Sequence, residues 1–106
     1  MNTSLVELVP SKFYLSQNYP NPFHEKTTIK FCLPCRARVK LDLLTTPRKV
    51  LRKLLDEEKE AGAYEIEFDG SNLSKGSYVC LFQAGDFVSS KRMLREKHQQ
   101  KKGATL

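Results

Sequence analysis

Two cysteines separated by two residues, Cys32 and Cys35, are the first candidates for chemistry in this chain. A Cys-x-x-Cys motif supports disulfide exchange where it opens a helix, because a helix N-terminus lowers the pKa of a thiol. It supports zinc binding where two further ligands follow at suitable spacing. Here an alternating, strand-like pattern follows Cys35, and the remaining ligand-type residues, His24, Cys80 and His98, lack zinc-finger spacing. We therefore expect structural thiols and neither metal nor cofactor, with redox or metal chemistry as the alternative.

The run Asp-Gly-Ser-Asn at residues 69–72 is a second candidate, because calcium loops use such side chains. One acid in this run is too little charge to hold Ca²⁺. Asp, Ser and Asn are instead typical turn residues, and Gly70 is expected to supply a positive φ. The two histidines show no recognisable spacing to a nucleophile. We therefore predict a turn at this position and no catalytic residues.

Length and charge limit the function further. The chain has 106 residues, enough for one domain, and a net charge of +6, of which residues 91–106 carry +5. No aromatic residues are interspersed among these basic side chains, as stacking on nucleic acid would require. No apolar run is long enough to cross a bilayer, and residues 1–10 do not resemble a signal peptide. We expect no nucleic-acid partner and no membrane span; binding of anionic surfaces by the basic tail is an alternative.

Alternation of apolar and polar residues predicts most of the regular structure. Strands are expected at about 27–33, 39–43, 64–69, 77–82 and 87–94. The strand at 77–82 is apolar on both faces, which is typical of a central strand covered on both sides. The strands at 27–33 and 39–43 are joined by a short connection. The strand at 39–43 is therefore expected either beside the first strand in one sheet or opposite it in a second sheet. Gly85-Asp86 predicts a two-residue hairpin with a type II′ turn.

Two segments need separate treatment. Thr46 and Pro47 before apolar residues at 50, 51, 54 and 55 would suit a helix, but a lone helix among strands would leave a gap in the sheet, so we predict a strand over 48–55. Residues 56–62 are expected to form a solvated loop. The lead-in, residues 15–23, contains two prolines one residue apart and is expected to be rigid and extended.

These elements together predict an all-β fold, a small immunoglobulin-like antiparallel β-sandwich of about seven strands. Residues 1–10 are expected to be a linker or residual N-terminal segment. The sandwich domain is expected over 11–97, followed by a basic C-terminal tail over 98–106.

Several short motifs occur together and in order. They are the lead-in, 27–31, Ala61-Gly62 before Tyr64, 68–73, Gly76 with Tyr78, 83–88 and 91–94. This set closely resembles the C-terminal sorting domain of the type IX (Por) secretion system, a family related to the immunoglobulin-like domain of the flagellar hook-capping protein. The matching motif residues are Asn18, Tyr19, Pro20, Asn21, Pro22, Phe23, Gly62, Asp69, Gly70, Leu73, Gly76, Tyr78 and Gly85.

The resemblance implies a non-catalytic, monomeric domain that directs an N-terminally attached cargo through the outer membrane to the cell surface or beyond, after transit through the periplasm. Its partner would be the outer-membrane type IX machinery. The candidate contact residues are Lys91, Arg92, Met93, Leu94 and Lys97. A generic immunoglobulin-like structural or adhesive module without sorting activity is the alternative. The closing strand departs from the family pattern, because Arg95-Glu96 replaces apolar residues and is expected to weaken its last pairing.

Overall fold

The computed structural model describes residues 10–45 and 49–96, and the regular elements in these ranges are β-strands. They are β1 (Tyr14–Leu15), β2 (Lys26–Leu33), β3 (Ala37–Thr45), β4 (Lys49–Lys59), β5 (Gly62–Asp69), β6 (Gly76–Ala84) and β7 (Phe87–Arg95). Each predicted strand is present, with bounds that extend by a few residues where cross-strand pairing continues beyond the apolar alternation.

The strands form two antiparallel sheets, one in the order β1-β2-β5 and the other in the order β4-β3-β6-β7. Alternate side chains of both sheets point inward and bury the core: Leu15, Phe23, Ile29, Phe31, Leu33, Val39, Leu41, Leu43, Phe68, Tyr78, Cys80, Phe82, Ala84 and Met93. The prediction of an all-β antiparallel sandwich is confirmed. The relation to immunoglobulin domains stays a prediction. The chain crosses between the sheets directly after β2, the second of the two arrangements expected for that connection.

The fourth strand confirms the choice of strand over helix but corrects the loop prediction. β4 is 11 residues long and pairs with β3 through Lys59, whereas a loop was expected from Asp56 onward. Main-chain pairing of Ala37–Val39 with Glu57–Lys59 forms the extension. Exposed ion pairs accompany it, with Arg38 Nε 3.0 Å from Asp56 Oδ1 and Arg36 Nη2, just before β3, 2.9 Å from Glu58 Oε1. Polar residues that look like a loop in sequence therefore form a charged ladder. The turn at 46–48, with Pro47, lies outside the described residues.

The sixth strand is central, between β3 and β7, but only one of its faces lies in the core. Tyr78, Cys80 and Phe82 are buried, whereas Val79 and Leu81 on the outer face are half-buried. The expectation that both faces are covered is wrong, because no described element packs over the outer face of this sheet.

Gly85 and Gly70 are required for different reasons, one for its backbone conformation and the other for its lack of a side chain. Gly85 has φ +59° and no non-glycine residue of the described chain has a positive φ, which matches the predicted type II′ hairpin. Gly70 is not among the positive-φ glycines, so that expectation is wrong. Its requirement is space: a Cβ there would lie 2.9 Å from Phe23 Cε2 and 3.1 Å from Phe68 Cε2.

Candidate functional site

The lead-in joins the two sheets through main-chain hydrogen bonds. Tyr19 and Thr28 of β2 each donate to the other's carbonyl at 2.9 Å. Four residues further on, Phe23 N–H donates to Leu94 O at 2.9 Å, and Glu96 N–H donates to Phe23 O at 2.8 Å, so Phe23 lies parallel to the end of β7. We call the bonds between the lead-in and β7 the clasp. They close one side of the sandwich between the edges of β2 and β7.

Proline has no N–H to donate, so the prolines of the lead-in contribute few main-chain hydrogen bonds. Buried side chains hold this segment instead. Asn18 is 3% exposed and its Nδ2 donates to Pro20 O at 3.1 Å and to Thr27 Oγ1 at 2.9 Å. The Thr27 hydroxyl in turn donates to Pro20 O at 2.8 Å. Both peptide bonds before the prolines, Tyr19-Pro20 and Asn21-Pro22, are cis. This small network fixes the path of the chain between β2 and β7.

Side chains of the lead-in also reach the main chain of β7. Asn21 Oδ1 accepts a hydrogen bond from Leu94 N–H at 2.9 Å, and Gln17 Nε2 donates to Arg92 O at 2.6 Å. The ring of Phe23 is fully buried and meets Phe68 edge to face with centroids 6.2 Å apart. The lead-in is therefore an integral part of the sandwich as well as the segment that enters it.

The remaining motif residues shape strand ends and turns: Asp69, Gly70, Leu73 and Gly76 lie at the end of the sandwich that contains Phe23, whereas Gly62, opposite Leu33, lies at the other end. Gly62 and Gly76 begin β5 and β6, and Gly70 packs against the Phe23 ring. Asp69 accepts a hydrogen bond from Ser71 N–H at 2.9 Å, and this bond lowers the pKa of the Asp69 carboxyl. The half-buried side chain of Leu73 packs against the core. The Tyr78 hydroxyl donates to Ser74 O at 2.6 Å. The motif residues thus fix backbone geometry.

The candidate contact residues on β7 divide between the two faces of the strand. Met93 is fully buried in the core, Lys91 is half-buried, and Arg92 and Leu94 are exposed. Lys97 lies outside the described residues. The exposed pair, Arg92 and Leu94, lies on the outer face directly beside the clasp.

Arg95 is a feature that the sequence reasoning did not identify. It forms the last pair of β7 with Gly76 in β6, and the residue is only 6% exposed. The expected weakening of this pairing stays a prediction. Among the described residues its Nε has no hydrogen-bond partner, and Nη2 reaches only Ser71 O at 3.4 Å. The sequence could have predicted this burial, because Arg95 lies two residues after the apolar Met93 and residues two apart in a strand share a face.

The thiols lie in three different environments. Cys80 is buried, Cys32 is half-buried and Cys35 is exposed, and all three are free. Burial, with a smaller contribution from the nearby Asp42 carboxylate, raises the pKa of the Cys80 thiol to about 12. Within residues 10–45 and 49–96 no group of at least three His, Cys, Asp or Glu side chains is arranged to hold a metal ion. No helix of these ranges is long and apolar enough to cross a membrane.

The fold and the clasp define the class of protein: a small antiparallel β-sandwich domain whose motif residues hold its two sheets and its lead-in together. The family model described as "Secretion system C-terminal sorting domain" matches residues 17–96, and the chain belongs to this family, the type IX (Por) sorting domains. Membership indicates a C-terminal sorting signal, borne as the tail of a cargo that is exported to the cell surface or extracellular space. No match was found among curated proteins or among solved structures.

Proposed function

We propose that residues 11–97 act as a folded address that the outer-membrane type IX machinery reads, and that they direct an N-terminally attached cargo through the periplasm to the cell surface. The observation that supports this proposal is the agreement between the family match and the clasp. The match begins at Gln17 and ends at Glu96. Each of these two residues hydrogen bonds to a residue near the other end of the matched sequence, Gln17 to Arg92 and Glu96 to Phe23.

The contact surface in this proposal is the outer face of β7 beside the clasp. Arg92 supplies a cation and Leu94 an apolar side chain that is 37% exposed. Lys91 borders them and Lys97 follows in the sequence. The domain itself acts as a monomeric binding module without catalysis, and the non-catalytic part of this proposal agrees with the general character of the family.

The test is a fusion of residues 11–97 behind a reporter that the Sec pathway exports, in a host with the type IX machinery. We expect the reporter at the cell surface. A reporter that remains in the periplasm contradicts the proposal and favours the generic structural or adhesive module. A fusion that spans residues 11–106 shows in addition whether the basic tail affects delivery.

Two variants separate surface recognition from folding. Leu94→Glu alters the proposed contact surface, whereas Val88→Glu places the same charge on the same face of β7, further from the clasp, at a residue that is 61% exposed. We expect loss of surface delivery with Leu94→Glu only, while both domains remain folded by circular dichroism. Equal delivery of the two variants would contradict this choice of surface.

A further inference from the structure

The outer edge of β5 is an unpaired strand edge on the side of the sandwich opposite the clasp. β5 ends its sheet, since the order is β1-β2-β5, and its eight residues pair with β2 without a register shift. Edge strands are usually protected by bulges, by lysine or proline, or by a covering segment. β4 has two register shifts, and the lead-in covers the edges of β2 and β7. β5 has no register shift, lysine or proline; its edge carries acidic side chains, and at its end Arg52 Nη1 of β4 donates to Asp69 O at 3.3 Å.

The hydrogen bonds of β2 identify which groups of β5 are free. Thr28 exchanges both of its main-chain bonds with Tyr19, and it lies opposite Glu67 in β5. Because main-chain groups alternate between the two sides of an antiparallel strand, Glu67 directs its N–H and C=O away from β2. Lys30 likewise bonds to Ser16 and lies opposite Glu65. The N–H and C=O groups of Glu65 and Glu67 therefore point to the open edge.

The side chains at these positions give the edge a negative charge. Glu65 and Glu67 lie on the exposed face of the sheet. Glu65 pairs with Lys30 at 3.6 Å, but both side chains are 63% exposed, so this ion pair contributes little. Glu67 lies opposite Thr28, and among the described residues it has no ion pair. On the inner face Tyr64 and Ile66 are half-buried and apolar.

We propose that the free edge of β5 binds a basic, extended peptide segment as an added antiparallel strand. Lysine or arginine of the segment lies opposite Glu65 and Glu67, since directly opposed charges of opposite sign stabilise a pair of strands. The alternate residues of the segment are apolar and extend the inner face next to Ile66. Two copies of β5 cannot pair in this way, because acidic residues would then oppose acidic residues. The proposal does not depend on a sorting function.

The test uses the 106-residue chain and a fluorescent, end-blocked peptide of eight alternating lysine and valine residues. A peptide of the same composition with its lysines and valines in separate blocks is the control. Fluorescence anisotropy measures binding, and amide hydrogen exchange by NMR locates it. We expect the alternating peptide alone to slow exchange at the Glu65 and Glu67 amides. Equal binding of the block peptide, or protection at β4 instead, would overturn the proposal.

Two variants test the charge and the backbone separately. Glu67→Lys should weaken binding roughly tenfold, since it replaces attraction with repulsion. Asp86→Lys, which makes the same change of charge in the exposed hairpin turn, should alter binding less than twofold. Glu65→Pro removes an N–H that faces the open edge, where proline is tolerated, and should abolish protection of the Glu67 amide. If both lysine variants weaken binding equally, the attraction is only to net charge and the proposal fails.

Discussion

Replacement of the buried Arg95 by methionine should stabilise the domain. Arg95 is 6% exposed, its Nε has no partner among the described residues, and the hydrogen bond from Nη2 to Ser71 O is long at 3.4 Å. None of the ion pairs in the described ranges includes it. The folded state therefore removes a cation from water without replacing most of its hydration.

The magnitude follows from the cost of an unsatisfied buried donor, which is about 1–3 kcal/mol and larger for a charged group. Replacement of buried ionic groups by apolar side chains of similar volume often stabilises a protein by about 1–4 kcal/mol. Methionine is unbranched and adaptable, so it can occupy the same space beside Met93. We expect the Arg95→Met variant to gain about 1–3 kcal/mol in the free energy of unfolding.

Guanidinium chloride unfolding monitored by far-UV circular dichroism measures this gain, as a higher midpoint with an unchanged slope. Each 1 kcal/mol should also raise the melting temperature by about 4–8 °C for a domain of this size. Arg92→Met, on the exposed face of the same strand, is the matched control and should change stability by less than about 0.5 kcal/mol. An Arg95→Met variant that is less stable than the parent would show that the buried charge is compensated and would refute the reasoning.

Three further predictions concern the turn, the lead-in and the thiols. Gly70→Ala should destabilise the domain by about 1–3 kcal/mol, because its Cβ would crowd the Phe23 ring; thermal melts measure this, and an unchanged melt would contradict it. Asn18→Ala should cost about 1–3 kcal/mol in denaturant unfolding, because buried hydrogen-bond partners lose their donor. Cys80 should resist iodoacetamide at pH 8 while Cys35 reacts, as followed by mass spectrometry. Since the folded state retains the Cys80 proton up to about pH 12 and the unfolded chain releases it near 9.0, stability should fall between these pH values, with a smaller slope in Cys80→Ala.

Alternation along the chain was sufficient to predict the sandwich, because one face of each strand had to be buried. It failed at the end of β4, where Asp56 pairs with Arg38 of β3 and Glu58 pairs with Arg36, the residue before β3. That pairing depends on register, which the composition of a charged segment does not reveal. It failed at Gly70 for a related reason, since crowding by rings distant in sequence is a tertiary property.

The sequence marked the residues of the lead-in but not the contacts that they make. The prolines of the lead-in indicated an extended segment, and the family motifs marked the same residues. The hydrogen bond from Asn18 to Thr27 and the contacts from Gln17 and Asn21 to β7 involve partners that are nine or more residues away. Short-range patterns carry no information about such partners, so the clasp required the structure.

The clasp can form only after nearly the whole domain has been synthesised, because it joins the first and the last segments of the sandwich. Asn21 bonds to Leu94 across 73 residues of sequence, and β7 follows the other six strands along the chain. A ribosome must therefore release the end of β7 before the lead-in can form the clasp, although its bonds to β2 do not require β7. A chain that is truncated before residue 94 would retain its lead-in and five of its longer strands, yet it would lack the closed side. A domain with a complete clasp can therefore form only from a chain that was translated through the end of β7.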